Sequence, residues 1–114
     1  MEAQPREIKE YQTADGQNPF AQWIDSLRDR KARAKIRNRL TRVEAGNLGN
    51  YRSVGEGVCE LKINFGPGYR VYFGQVESTI ILLLCGGDKS TQEEDILQAK
   101  EYWREYERRE STNE

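Results

Sequence analysis

The residues of this chain with the clearest capacity for chemistry lie in one short stretch, GVCELKINFGPGYRVYF, which spans positions 57 to 73. Polar and apolar side chains alternate on both sides of Gly-Pro-Gly, and this pattern predicts two strands joined by a turn. A register with Phe65 opposite Tyr69 puts every apolar side chain on one face. The other face then carries the polar side chains Glu60, Lys62, Asn64, Arg70 and Tyr72.

This register predicts a cluster of two cations and a phenol. It sets Lys62 opposite Tyr72, so that Lys62 and Arg70 become diagonal neighbours within about 7 Å. Lys89 follows the strand IILLLC and joins the cluster if that strand lies beside the hairpin. Neighbouring cations repel each other, which favours an anion at this surface. An exposed sheet face is often polar without any function, and the pattern alone leaves both interpretations open.

The composition limits the classes to which the chain can belong. Its 114 residues fit one domain, 1–114, with a flexible tail expected over about 108–114. No apolar run is long enough to span a bilayer and the start of the chain lacks the order of a signal peptide, so we expect a cytoplasmic protein. The chain has no histidine and its two cysteines are far apart. We therefore expect no metal and no cofactor.

The charges are unevenly distributed, although the net charge is only −1. Residues 28–42 hold eight basic side chains against one acid, whereas residues 93–114 hold eight acids against four bases. The basic segment has few acidic partners at i,i+4, so its cations repel each other and an external polyanion would relieve that cost. The alternative is an ordinary solvated helix surface. The candidate RNA-binding cations are Arg33, Lys35, Arg37, Arg39 and Arg42.

The hydrophobic periodicity predicts three helices and four strands. One helix opens with Asn18 as N-cap and Pro19 in its first turn and ends near 26–29, a second covers about 30–45, and a third starts at Ser90 or Thr91. The segment 46–57 reads as loop, and GGDKS reads as a turn because it lacks a complete phosphate-binding motif. The predicted strands are 6–11, 58–65, 69–76 and 79–85. This order predicts an α+β fold with helices on one face of an antiparallel sheet.

Two segments, GVCELKINFGPGYRVYF and IILLLCGGDKSTQEEDILQAKEYW, carry a resemblance to a known family. Together with NPFAQWIDSL and the basic helix, they resemble the RelE/ParE superfamily of bacterial toxins. The nearest subgroup is the HigB-like, phage-related one, known as addiction module killer proteins. The resemblance covers nearly the whole chain. It implies a small RelE-like α+β toxin that has a cognate antitoxin from a neighbouring gene and cleaves messenger RNA on the ribosome.

The resemblance also implies roles for particular residues. Lys62 matches a catalytic lysine position, Arg70 matches the arginine of the Tyr-Arg pair after the turn, and Lys89 lies near a basic position after the last strand. Glu60 departs from the pattern, since some relatives have a lysine there, and no counterpart appears for the C-terminal tyrosine or histidine of several members. The basic helix would bind ribosomal RNA and supply affinity.

RNA cleavage by attack of the 2′-hydroxyl needs a proton acceptor, a group that stabilises the charged phosphorane and a proton donor to the 5′-oxygen. Arg70 suits the phosphorane, because a guanidinium binds two phosphate oxygens and stays protonated. Lys62 suits the acceptor if nearby cations favour its neutral form, and Lys89 suits the donor. Tyr72 suits stacking on a base or positioning of the phosphate. The expected activity is that of a metal-independent endoribonuclease.

Two other functions stay open on the sequence. A ParE-like inhibitor of DNA gyrase cleaves nothing and needs no cationic active face, so Lys62 and Arg70 would be incidental. A degenerate family member would keep the toxin fold and bind only its antitoxin. The formal net charge of −1 favours the degenerate member, because RNA-directed toxins are expected to be more basic.

Overall fold

The structure of the protein is a computed structural model, which describes residues 4–112. Its helices and strands follow in the order β1 (Glu7–Glu10), α1 (Pro19–Ser26), α2 (Arg30–Glu44), β2 (Tyr51–Gly55), β3 (Val58–Ile63), β4 (Tyr69–Val76), β5 (Ile80–Asp88) and α3 (Gln92–Thr112). A single 3₁₀ turn over Lys89–Thr91 joins β5 to α3. The predicted α+β class is confirmed.

The five strands form one mixed sheet in the order β1-β5-β4-β3-β2. β1 runs parallel to β5, and the other neighbours are antiparallel. The expectation of a purely antiparallel sheet was therefore wrong. The prediction of a loop over 46–57 was also wrong, because β2 pairs with β3 through a two-residue turn at Glu56 and Gly57. Glu56 and the two flanking glycines have positive φ angles between 56° and 99°, as a tight hairpin turn requires.

Helices cover both faces of the sheet, which corrects the expectation that they cover only one. α1 and α2 pack on the face that presents Leu61, Val71 and Phe73. α3 packs on the opposite face, where Ala99 and Trp103 are buried in a second cluster. Successive residues of a strand point to opposite faces, so each strand contributes to both clusters. Since α3 begins at Gln92, it leaves part of its face of the sheet uncovered at that end.

The glycines of the predicted GGDKS turn belong instead to the end of β5. A Cβ at Gly86 would overlap the indole of Trp23 in α1, and a Cβ at Gly87 would overlap the carboxylate of Asp95 in α3. Both glycines thus permit close approach of a helix to the strand. The prediction of a flexible turn was wrong for these two residues, whereas Asp88 does start the connection by accepting from the backbone N–H of Ser90.

Gly74 in β4 plays the same role beneath Trp103, and its substitution should destabilise the protein. A Cβ at this position would overlap the six-membered ring of Trp103, which is only 7% exposed. We expect Gly74→Ala to lower the free energy of unfolding by about 2 kcal/mol in chemical denaturation. The loss should shrink when Trp103→Phe is also present, because the smaller ring makes room for the methyl group. An equal loss in both backgrounds would contradict this account.

α3 is longer than predicted, because residues near its end contact the start of the chain. Tyr11 donates a hydrogen bond to the Glu105 carboxylate, and Arg109 donates to Gln12 O at 2.7 Å and to Glu105. The expectation of a flexible tail was wrong for residues 108–112, which are helical. Residues 113–114 of that tail lie outside the described part of the chain. Between residues 4 and 112, no helix is both long and apolar enough to cross a membrane.

Candidate active site

The β3–β4 hairpin has a different register from the predicted one. Ile63 pairs with Tyr69, so that the turn spans residues 64–68 instead of three residues. Backbone hydrogen bonds from Phe65 N to Ile63 O and from Gly68 N to Phe65 O stabilise this longer turn. Relative to the predicted register the strands are shifted by two residues, which leaves every side chain on its expected face. The shift places Lys62 directly opposite Arg70.

The polar end of this face forms a pocket where α3 no longer covers the sheet. Its volume is about 320 Å³. The pocket is lined by Asn50, Tyr51, Arg52, Glu60, Lys62, Arg70 and Gln92. Three of these residues carry a positive charge and one a negative charge, so the pocket is suited to an anion. Within residues 4–112, no group of three His, Cys, Asp or Glu side chains is arranged to hold a metal ion.

Glu60 is the centre of the hydrogen-bond network beneath the pocket, although it is only 3% exposed. Its carboxylate accepts from Arg52 Nε at 2.9 Å, from Tyr72 OH at 3.0 Å and from Gln92 Nε2 at 2.8 Å. Burial raises the pKa of Glu60, but these hydrogen bonds and the charge of Arg52 outweigh it, so that the pKa lies below its ordinary value. Glu60 therefore stays ionised and has little capacity to accept a proton.

Arg70 is a buried cation that lines the pocket. It is 5% exposed, and its Nη1 donates to Gly68 O at 2.6 Å. Its Nε lies 3.9 Å from Glu60 Oε2, which is within ion-pair range but too long for a hydrogen bond. This Nε has no hydrogen-bond partner in the described part of the chain. Because Arg70 also lines the pocket, its guanidinium can interact with an anion there.

The two remaining candidates of the cluster, Tyr72 and Lys89, differ in their exposure to solvent. Tyr72 is fully buried beneath α3, and burial followed by the charge of Glu60 raises the pKa of its phenol. Tyr72 is too deeply buried to stack on a base, so that expectation was wrong. Its hydroxyl instead donates a hydrogen bond to Glu60. Lys89 is exposed and lies beside the turn, since a Cβ at Gly68 would be 3.8 Å from the Lys89 Cβ.

The five cations predicted to bind RNA do not share one surface. Lys35, Arg39 and Arg42 line a second cavity that adjoins the pocket. Arg33 instead donates to the backbone carbonyl of Leu27 between α1 and α2. Arg37 lies at a different cavity beside β1. Cations that are close together in the sequence of α2 thus lie on different sides of the helix.

Sequence reasoning missed Arg52 and Gln92, which both bind Glu60. The sequence predicts a loop at Arg52 and a helix start near Gln92, and it indicates no role for either side chain. A usable signal was present in VGEGV, because Gly-Glu-Gly between two valines is a hairpin turn pattern. With β2 predicted, its pairing with β3 would have placed a cation beside Glu60.

Comparison with known proteins adds a relative but no activity. No family model matches the chain. An uncharacterized protein of Haemophilus influenzae is 48% identical over 81 residues, which cover 71% of this chain and 82% of that protein. The chain belongs to the same family as this Haemophilus protein. The name of that relative states no activity. The function of this chain therefore has to be inferred from the site itself.

Proposed function

We propose that this chain is the toxin of a type II toxin–antitoxin system, of the RelE/ParE superfamily and its HigB-like subgroup, and cleaves messenger RNA on the ribosome. The main support is the placement of Lys62 directly opposite the buried Arg70 at a pocket of about 320 Å³. Two adjacent cations on one open end of a sheet cost electrostatic free energy that a phosphate would repay in part. The α+β architecture and the sequence resemblance agree with the same proposal.

The proposed chemistry uses side chains of the chain alone. Arg70 binds the non-bridging oxygens of the scissile phosphate and stabilises the phosphorane. Lys62 accepts the proton of the attacking 2′-hydroxyl in its neutral amine form, and the ammonium group of Lys89 donates a proton to the departing 5′-oxygen. Tyr72 acts indirectly, since it fixes Glu60, which in turn lies beside Arg70.

The proposed partners are the ribosome with its messenger RNA and a cognate antitoxin, a small DNA-binding protein from a neighbouring gene. The proposed compartment is the cytoplasm, where translation takes place.

Primer extension on cellular messenger RNA tests the proposal. Expression of the wild type should produce cuts positioned relative to codons, and Lys62→Ala should reduce them by about 100-fold, because the proton acceptor is lost. Lys9→Ala, at an exposed lysine of β1, is a matched control that should cut like the wild type. Growth arrest with intact messenger RNA would exclude the nuclease proposal and favour a gyrase-type target.

One observation favours a second candidate, a degenerate toxin that only binds its antitoxin. Glu60 lies 3.9 Å from the Arg70 guanidinium and partly neutralises the charge that a phosphate would need. This candidate predicts neither cuts nor growth arrest on expression, together with a stable complex with the product of the neighbouring gene. The primer extension experiment therefore separates it from the nuclease.

A further inference from the structure

A second cavity lies next to the pocket and is here called the basic groove. Its volume is about 410 Å³, and its lining includes the cations Lys35, Arg39, Arg42 and Lys62. Of the described residues that line it, none is acidic. Lys35 Nζ lies 5.8 Å from the centre of the Phe65 ring, and Phe65 also lines the groove. The groove therefore has an apolar wall and a strongly positive surface.

Arg39 is a buried cation in the wall of the basic groove. It is 7% exposed, and its Nη2 donates to the backbone carbonyls of Leu48 and, at 3.3 Å, Asn50. No carboxylate in residues 4–112 forms an ion pair with it. Burial lowers the pKa of Arg39, and the charge of Arg42 lowers it further. An anion bound near Arg39 would therefore stabilise this buried guanidinium, whose charged neighbour is the cation Arg42.

The pocket and the basic groove share two residues, Asn50 and Lys62. One cavity has the buried Arg70 in its wall and the other the buried Arg39. A ligand with a single phosphate would use only one of these arginines. A flexible chain of phosphates can use both, because it can bend around the shared residues. Stiff double-stranded DNA adapts less readily to the positions of the two arginines.

We propose that the pocket and the basic groove form one continuous track for single-stranded RNA, which the protein binds without the ribosome. The scissile phosphate lies at Arg70, and a flanking phosphate lies at Arg39 and Arg42. This inference rests on the proposed function for the identity of the strand. It assigns this part of α2 to the substrate strand, whereas the sequence resemblance assigned the helix to ribosomal RNA.

Fluorescence anisotropy of the purified protein with a labelled, 2′-O-methylated single-stranded RNA of about eight nucleotides tests the track. The methyl groups prevent cleavage, so only binding is measured. Arg42→Ala should weaken binding about fivefold at 0.1 M salt and reduce the slope of log K against log salt by about 0.7, as expected for the loss of one phosphate contact. Arg37→Ala removes the same charge from the same helix but lies outside the groove. It should change the affinity less than twofold.

Equal effects of Arg42→Ala and Arg37→Ala would overturn the track, because they would show diffuse attraction to the whole helix. Equal affinity for a DNA duplex of the same length would also overturn it. The assay contains neither ribosomes nor a cleavable bond, so its failure is distinct from failure of the proposed function. Binding with the expected mutant pattern but without cuts in cells would support the track and contradict the nuclease. Cuts in cells together with unchanged RNA binding by Arg42→Ala would support the nuclease and contradict the track.

Discussion

Replacing Arg70 by alanine is expected to lower the rate of messenger RNA cleavage by at least about 100-fold. In the proposed reaction its guanidinium stabilises charge that develops only in the transition state, and loss of one such donor costs about 10² to 10³ in rate. The buried position of Arg70 strengthens this effect, because water screens its charge less than it screens an exposed one. Single-turnover cleavage of messenger RNA on purified ribosomes measures it directly.

Two further variants make this prediction specific. Arg70→Lys keeps the positive charge but cannot bind two oxygens in a planar fork, so it should still lose about tenfold. Arg52→Ala removes a cation whose side chain also binds Glu60 but is 63% exposed, and it should lose less than Arg70→Lys. Thermal unfolding of each variant shows that the protein is folded. Cleavage by folded Arg70→Ala at close to the wild-type rate would remove Arg70 from the mechanism.

Glu60→Gln is expected to lower the free energy of unfolding by about 3 kcal/mol at pH 7, because it leaves the buried Arg70 without its neighbouring negative charge. Glutamine keeps the size of the side chain, so the loss reflects charge and hydrogen bonding instead of a cavity. Urea denaturation with both proteins at the same pH measures the difference. Glu93→Gln, at an exposed position of the first turn of α3, is a matched control that should change stability by less than about 0.5 kcal/mol.

The contribution of Glu60 should also depend on pH in a defined direction. Its pKa in the folded protein is below the ordinary value of 4.5, so ionised Glu60 stabilises the folded state above that pH. The stabilisation is lost as the pH falls through the lower pKa of the folded protein. The difference between wild type and Glu60→Gln should therefore be largest near neutrality and shrink below about pH 4.5. A difference that grows on acidification would contradict the assigned network.

The sequence was sufficient to predict the elements with strong local signals. Asn18 caps α1 and accepts from Ala21 N, as its position before Pro19 predicts. The helical spacing of Ile96, Ala99, Trp103 and Tyr106 also predicts that one face of α3 packs inward. In the structure Ala99 and Trp103 are buried, and Ile96 and Tyr106 pack against the same cluster. These signals depend on spacing within one helix or strand, which the sequence contains directly.

The errors arose where the outcome depends on pairing between distant segments. The parallel pairing of β1 with β5 leaves no local signal, and β2 is recognisable chiefly through its partner β3. The face that carries Lys62 and Arg70 was predicted correctly because alternation determines it. Their direct pairing was not, because the turn can close in more than one register. The burial of Tyr72 could not be predicted without knowing that α3 covers this part of the sheet.

The parallel pairing of β1 with β5 also has a consequence for the order of events during synthesis. Residues 7–10 pair with residues 80–83, so β1 cannot pair until β5 has been synthesised. The pocket is finished later still, when Gln92 binds Glu60 across 32 positions of the chain. Folding that depends on such long-range contacts is slow compared with helix formation. The nascent chain therefore has no complete pocket until the segment that contains Gln92 has left the ribosome.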